Sequence, residues 1–341
     1  MGYFRLLLAS LVVVSHMGIS LYGHNPGVFA VAIFYLLAGQ VVVRLWLRMP
    51  GDNWLARCGD FYRDRLLRIA PMYMGMLCIG VLAWYLGAQS WFVSATPDVW
   101  AWLGNILIVP LNYYMYNGAD QFTLLPPAWS LAAEIQFYLL VPLLLASARL
   151  LVPAFVMSLV VFFCAQQGWL NTDIFGYRLL PGALFIFLSG GLLELHRNAR
   201  LPRAGLWLVI GCWLAISLWA GWLLLNPSAR APYNLEVALG YALGLPVVQL
   251  LHLLRQRRRH ASVPRPAWRT GSGQQLAGVL SYGVFLVHFP VIWLLELFRP
   301  GLGHSVPVVI LLSMLLALLV HFALERPLWH RLRLILVTGS Q

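Results

Sequence analysis

The sequence predicts an all-α fold, a polytopic helical membrane bundle of about ten transmembrane helices. Three observations carry that reading. Of 341 residues, 61% are hydrophobic and only 10% are charged, whereas a soluble domain carries about 25% charged residues. Mean hydropathy is +0.77. Apolar stretches of about 20 residues, long enough to cross a bilayer as a helix, recur from end to end. No segment between them is long enough for a second, soluble domain, so residues 1–341 read as one integral-membrane domain.

The first apolar run, Tyr3–Leu21, holds two residues that are costly in lipid, Arg5 and His16. They stand eleven positions apart. That is about three helical turns, so both fall on one stripe, roughly 16 Å apart along the axis. Either Arg5 snorkels to the headgroups and His16 is a satisfied interior histidine, or both face a wet bundle interior. The run has the outline of a secretory signal, but the spans that follow favour an uncleaved anchor. Those spans read as 27–46, 66–87, 128–148, 150–168, 177–195, 204–225, 235–254, 276–297 and 305–325. The stretch 99–116 is apolar but broken by Gly104, Asn105, Pro110 and Asn112.

Arginine placement decides whether 99–116 crosses. All 23 basic residues are arginine, and the formal net charge is +12. If 99–116 does not cross and the N-terminus is cytoplasmic, 20 arginines lie inside and only Arg178, Arg230 and Arg299 outside. If it crosses, ten lie inside and 13 outside. The first arrangement obeys the positive-inside rule. It gives ten spans in the bacterial inner membrane with both termini cytoplasmic, and makes 99–116 an outer-face segment. Trp100, Trp102, Tyr113, Tyr114 and Tyr116, with Asn105, Asn112, Asp120 and Gln121, then form either an interfacial aromatic belt or the wall of a sugar site. Residues 255–275 read as a basic cytoplasmic loop that orients the chain and meets anionic lipids. In this setting the basic excess is a topology signal, and nucleic acid is not an expected partner. Cys58, Cys78, Cys164 and Cys212 read as free thiols. There is no metal-ligand spacing, nucleotide fingerprint, Ser-His-Asp motif or internal repeat.

Phe61–Pro71 reads FYRDRLLRIAP and enters the third span from the cytoplasm. Arg65 and Arg68 share a helix face, Arg63 precedes them, and Asp64 is placed to hold one of them. Arg5 lies near the same depth. Guanidinium forks grip phosphates bidentately, although a plain positive-inside loop has the same composition. Pro127–Pro142 reads PAWSLAAEIQFYLLVP and enters the fourth span from outside. Glu134 lies roughly 8 Å below Trp129 along a helix, and His16 lies about as far from the outer end of its span. A carboxylate beside an imidazole sets its tautomer; the alternative for Glu134 is a bridge between helices. His288 sits near the middle of the ninth span, followed by Pro290, and serves either as a structural contact or in function. His321 and Glu325, four apart at the end of the tenth span, read as structural.

These residues resemble the bacterial membrane acyltransferase-3 family over nearly the whole chain. The resemblance is carried by Arg5, ten residues, then His16; by Ile33-Phe-Tyr-Leu-Leu-Ala-Gly39; and by Arg65-Leu-Leu-Arg68-Ile-Ala-Pro71. Trp129-Ser-Leu-Ala-Ala-Glu134-Ile-Gln-Phe-Tyr138, Ser281-Tyr282 through His288-Phe-Pro290, and Glu325-Arg326-Pro327 complete it. Each is weak alone; their order and spacing are specific. Two positions depart from the pattern: Ala38 stands where the family usually has Ser, and Ile135 where it has Glu or Gln.

The resemblance implies transfer of an acyl group, commonly acetyl, from cytoplasmic acyl-CoA to a hydroxyl of an outer-face acceptor. A cell-envelope polysaccharide or lipid-linked sugar is the expected acceptor. His16 is the expected catalytic residue, with Glu134 orienting it, and no tightly bound cofactor or metal is expected. Arg5, Arg65, Arg68 and Arg63 are the donor-binding candidates. Asn105, Trp129, Tyr138, Tyr282 and His288 are candidates for touching the acceptor or supporting the catalytic pair. Direct attack by the acceptor and an acyl-histidine relay are both open at this point. The rival class is a transporter or flippase for an anionic or sugar-bearing solute, which would also use intramembrane Arg, His and Glu but often shows repeated halves.

Overall fold

The computed structural model describes residues 1–50, 53–200, 203–260 and 272–328. Among these the regular structure is helical: α1 Gly2–His16, α2 Pro26–Arg48, α3 Trp54–Tyr85, α4 Val99–Leu107, α5 Tyr114–Asn117 and α6 Ala128–Ala146, then α7 Ala148–Gln166, α8 Leu180–Arg197, α9 Arg203–Leu225, α10 Asn234–His260, α11 Ser272–Phe298 and α12 Val306–Val320. Among the described residues, nine helices are long and apolar enough to cross a membrane, and α1 is a shorter apolar helix. This is the helical membrane bundle expected from composition.

Local chemistry sets the ends. Asn25 caps α2 by accepting from the Gly27 and Val28 amides at 2.9 and 3.1 Å, with Pro26 in the first turn. Asp98 caps α4 through Ala101 N at 2.7 Å. Three boundaries differ from the sequence reading. The run 3–21 is helical only to His16, because Gly18 takes φ +79° and Leu21 and His24 then exchange backbone hydrogen bonds of 2.9 Å. His16 is therefore the last residue of α1 and not one lying well inside a longer span. α3 starts at Trp54, well before residue 66, since Asn53 caps it and no proline interrupts the basic stretch. At about 48 Å it exceeds the roughly 30 Å hydrocarbon core. α10 runs on to His260, so the basic loop expected over 255–275 begins as helix; its part from 261 to 271 lies outside the described residues.

The stretch 99–116 breaks into α4, a 3-10 turn at Val109–Tyr113 and α5. Nine residues of α4 reach only about 14 Å, too short to cross. Asn105 holds this segment from within. Its amide nitrogen donates to the Ala101 and Phe122 carbonyls at 3.0 Å, and its Oδ1 accepts from Leu124 N at 2.9 Å.

The described contacts group into two compact units. One holds α1, α3 from Tyr62, the segment to Ala132, α11 and α12. Here α1 and α11 lie parallel in a fixed register. Gly2 abuts Gln274, the Met1 amino group donates to Gln274 Oε1 at 2.9 Å, and His16 meets His288. α3 runs antiparallel to α12: Arg68 pairs with Glu325, and Gly75 lies against Val320. The hairpin at Leu302–His304 turns α12 back along α11, so α1, α3 and α11 point one way. With every long apolar helix crossing once, that parity holds only if 99–116 does not cross.

The other unit holds Gly18–Phe61 and the chain from Ala133 through α10. α2 and α8 touch backbone to backbone. A Cβ on Gly39 would come within 1.8 Å of the Phe187 carbonyl, and one on Gly190 within 2.0 Å of the Leu36 carbonyl. At one end of this pair Arg44 grips Glu194 with two nitrogens, at 2.7 and 2.8 Å.

Two measurements check these features. Single-cysteine labels at Gln89 and Gly118 should report the same side of the membrane, opposite to a label at Arg257; labels on opposite sides at 89 and 118 would mean that 99–116 crosses. Gly190→Val should lower stability by about 1–3 kcal/mol through overpacking, read as a fall in the thermal unfolding midpoint, whereas Gly211→Val, in open space, should not.

Candidate active site

The site is built on the three parallel helices. His16 closes α1 and is an exposed residue; His288 lies mid-way along α11 and is wholly buried. Their Nδ1 and Nε2 atoms are 2.8 Å apart. His288 Nδ1 lies 3.1 Å from the Val284 carbonyl one turn earlier. Phe289 touches both rings, at centroid distances of 5.0 Å, and is itself backed by Phe92 at 5.2 Å.

The arginines sit toward the opposite ends of the same helices. Arg5, half-buried, lies about 16 Å from His16 along α1. Arg68 lies over the Tyr282 ring at 5.8 Å, and Tyr282 is six residues before His288, about 9 Å along α11. Arg65 is one turn further from the histidines. Asp64 accepts from its Nε and Nη2 at 3.1 and 2.5 Å, so the neighbour expected to hold an arginine does so. Arg63 is exposed. Arg68 donates to Glu325 at 2.8 Å, and His321 Nδ1 meets the other Glu325 oxygen at 2.7 Å. Glu325 is buried, which fits the structural reading of His321 and Glu325 and adds Arg68 to it.

The remaining candidates separate. Tyr282 hydrogen-bonds the Ile69 carbonyl at 3.4 Å and so belongs beside Arg68. Asn105 is fully buried and its side-chain amide is bonded to three backbone groups, which makes it a brace of this segment. Trp129 is half-buried, with its carbonyl accepting from Asn112 at 3.1 Å. Glu134 and Tyr138 lie in the other unit, where the Tyr138 hydroxyl donates to the Glu134 carboxylate. His16 Nδ1 is bonded to His288. Sequence reasoning missed this pairing and that of Arg68 with Glu325, since both join residues more than 250 positions apart.

With this geometry in view, comparison with known proteins is direct. The sequence profile of the acyltransferase-3 family, described as an acyltransferase domain, matches residues 1–326. The chain belongs to the acyltransferase-3 family. It is 35% identical over 172 residues to an uncharacterised protein of Aquifex aeolicus (strain VF5), covering 50% of this chain and 72% of that one. It is 26% identical over 153 residues to provisionally named O-acetyltransferases of Staphylococcus aureus strains COL and N315, covering 42% of this chain and 25% of theirs. The match thus spans about a quarter of the staphylococcal proteins' length. No solved structure matches this acyltransferase-3 chain.

The ion pairs on Arg68 predict an asymmetry. Arg68→Ala strips a buried carboxylate of one partner, a loss of about 1–3 kcal/mol, below the usual range for fully buried pairs because Arg68 is partly exposed and His321 remains. Adding Glu325→Gln should recover part of the lost unfolding midpoint. If the double variant is no more stable than Arg68→Ala, the pair does not carry that stability.

Proposed function

We propose that this acyltransferase-3 protein moves an acyl group, acetyl in the first instance, from cytoplasmic acyl-CoA to a hydroxyl of an outer-face acceptor in the bacterial inner membrane. A cell-envelope polysaccharide or lipid-linked sugar is the acceptor class we propose, and both termini are taken as cytoplasmic. The observation that most supports this reading is the layering of one helix set. Guanidinium groups cluster toward one end of α1, α3 and α11, and an accessible imidazole bonded to a buried one lies about 9–16 Å further along. That suits a substrate with a phosphate-rich head and a reactive thioester at the end of an extended arm. The names of the staphylococcal relatives point to acetyl transfer to oxygen.

In this proposal Arg5, Arg65 and Arg68 grip the donor phosphates, with Arg63 at the exposed entrance. The pantetheine arm runs along α1 toward His16. His16 takes the proton of the acceptor hydroxyl as its oxygen attacks the thioester carbonyl. The C–S bond breaks, and the imidazolium returns that proton to the leaving thiolate, giving an ester and free CoA. No acyl-enzyme is required. Glu134, which accepts from the Tyr138 hydroxyl, is proposed as the carboxylate that supports the reaction.

The experiment is a CoA titration beside an acetyl-transfer and CoA-release assay on the same purified protein in nanodiscs. His16→Ala should abolish transfer, a loss of at least about 10²–10⁴-fold, while donor affinity stays unchanged. Arg65→Ala should weaken CoA binding about ten- to a hundred-fold, the effect of losing one charge-assisted phosphate contact, and Arg65→Lys should restore only part. Glu134→Gln should be milder than His16→Ala. Normal transfer by His16→Ala, or its failure through lost CoA binding, would overturn the base assignment; unchanged CoA affinity in Arg65→Ala would overturn the donor site.

A further inference from the structure

The bond between the two histidines has a direction that their surroundings fix. A carbonyl oxygen only accepts, so the 3.1 Å contact from His288 Nδ1 to the Val284 carbonyl requires a proton on Nδ1. In the neutral ring Nε2 is then bare and acts as an acceptor. His16 Nδ1, 2.8 Å away, must therefore be the donor. With its proton on Nδ1, a neutral His16 carries its basic lone pair on Nε2.

Ring geometry agrees. The nitrogens are 2.8 Å apart, the centroids 5.1 Å, and the planes meet at 14°. A nitrogen contact that short is too close for rings stacked face to face. The rings lie edge to edge and nearly coplanar, so the bond runs along the in-plane lone pair of His288. Phe289, packed on both imidazoles and backed by Phe92, limits their rotation. The buried ring is thus the fixed member of the pair, and His16 is the member on an exposed residue.

We propose that His288 is the positioning residue of the acyltransferase, holding His16 in the tautomer whose Nε2 is the reacting atom. This rests on the acyl-transfer reading of His16. The proton path is then defined. Nε2 of His16 receives the acceptor's hydroxyl proton and gives the same proton to the departing thiolate, while the Nδ1 proton stays on the bond to His288. The Val284 carbonyl ends the chain and takes no proton, so His288 sets orientation and does not store charge.

The test is nitrogen-15 NMR of the full chain, labelled at histidine, in nanodiscs, with the His16 signals assigned by their loss in His16→Gln. The wild type should show His16 protonated on Nδ1 and bare on Nε2. His288→Leu should shift His16 toward the Nε2-protonated tautomer and lower kcat about ten- to a hundred-fold, less than loss of the base itself, with CoA affinity and the donor KM unchanged. His288→Gln offers an amide oxygen to His16 Nδ1 and should recover part of both the tautomer and kcat. A wild-type His16 protonated on Nε2 overturns the inference, as does His288→Leu with an unshifted tautomer and full kcat. If the wild type transfers no acyl group, the acyl-transfer reading fails, while the tautomer spectra still decide what His288 does to His16. If His288→Leu does not fold, the wild-type spectrum and the glutamine variant decide.

Discussion

The contact between Gly2 and Gln274 sets the register of α1 on α11, and the candidate site depends on that register. A Cβ at Gly2 would come within 1.8 Å of the Gln274 carbonyl, so only glycine lets the two backbones approach this closely. The Met1 amino group fixes the same level through Gln274 Oε1. Both helices rise by about 1.5 Å per residue, so a register set at Gly2 is carried fourteen residues along to His16 and His288. A one-residue slip would turn each side chain by about 100°, and the two rings would no longer meet. A small residue at the first turn thus governs a hydrogen bond about 21 Å away.

Much of the architecture was legible because lipid imposes simple rules. Apolar length marked the helices, and arginine asymmetry marked the non-crossing segment, whose short helix and broken backbone agree. Helix ends were less legible. The apolar run past His16 looks like continued helix to a hydropathy reading, but Gly18 and the turn at Leu21 and His24 end it by backbone conformation. At α3 the error ran the other way: charged residues suggested loop, yet Asp64 and its neighbouring arginines are compatible with a helix that outruns the apolar core. Of the candidate residues, His16 and His288 stood out because ionisable groups in apolar runs are costly, and Arg65 and Arg68 because they share one face of a basic stretch. Their pairings did not, because pairing depends on which helices pack, and no local pattern encodes contacts between residues 16 and 288 or 68 and 325.

The arginines also show how charge is handled at the opposite level. Arg65 and Arg68 each have a carboxylate partner, but of different kinds. Asp64 is adjacent in sequence and accepts from two Arg65 nitrogens, so that pair stays within α3. Glu325 is buried and shared with His321, so its bond to Arg68 ties α3 to α12. Arg68 still has nitrogen donors beyond the one bonded to Glu325, so bracing two helices does not use up its side chain.

A buried imidazole is a different partner for a base than a carboxylate. A carboxylate stabilises the imidazolium and raises its proton affinity, which helps a base capture a proton and hinders it from giving that proton away. It also brings a net charge into a bundle where an unpaired charge is costly. His288 supplies direction without charge. Its orientation is fixed by a backbone carbonyl on its own helix, which helix formation itself provides, so no further ionisable group is needed to complete the chain. In the reaction proposed here, which removes a proton from a hydroxyl and returns it to a thiolate, a neutral partner does not favour the imidazolium as a carboxylate would.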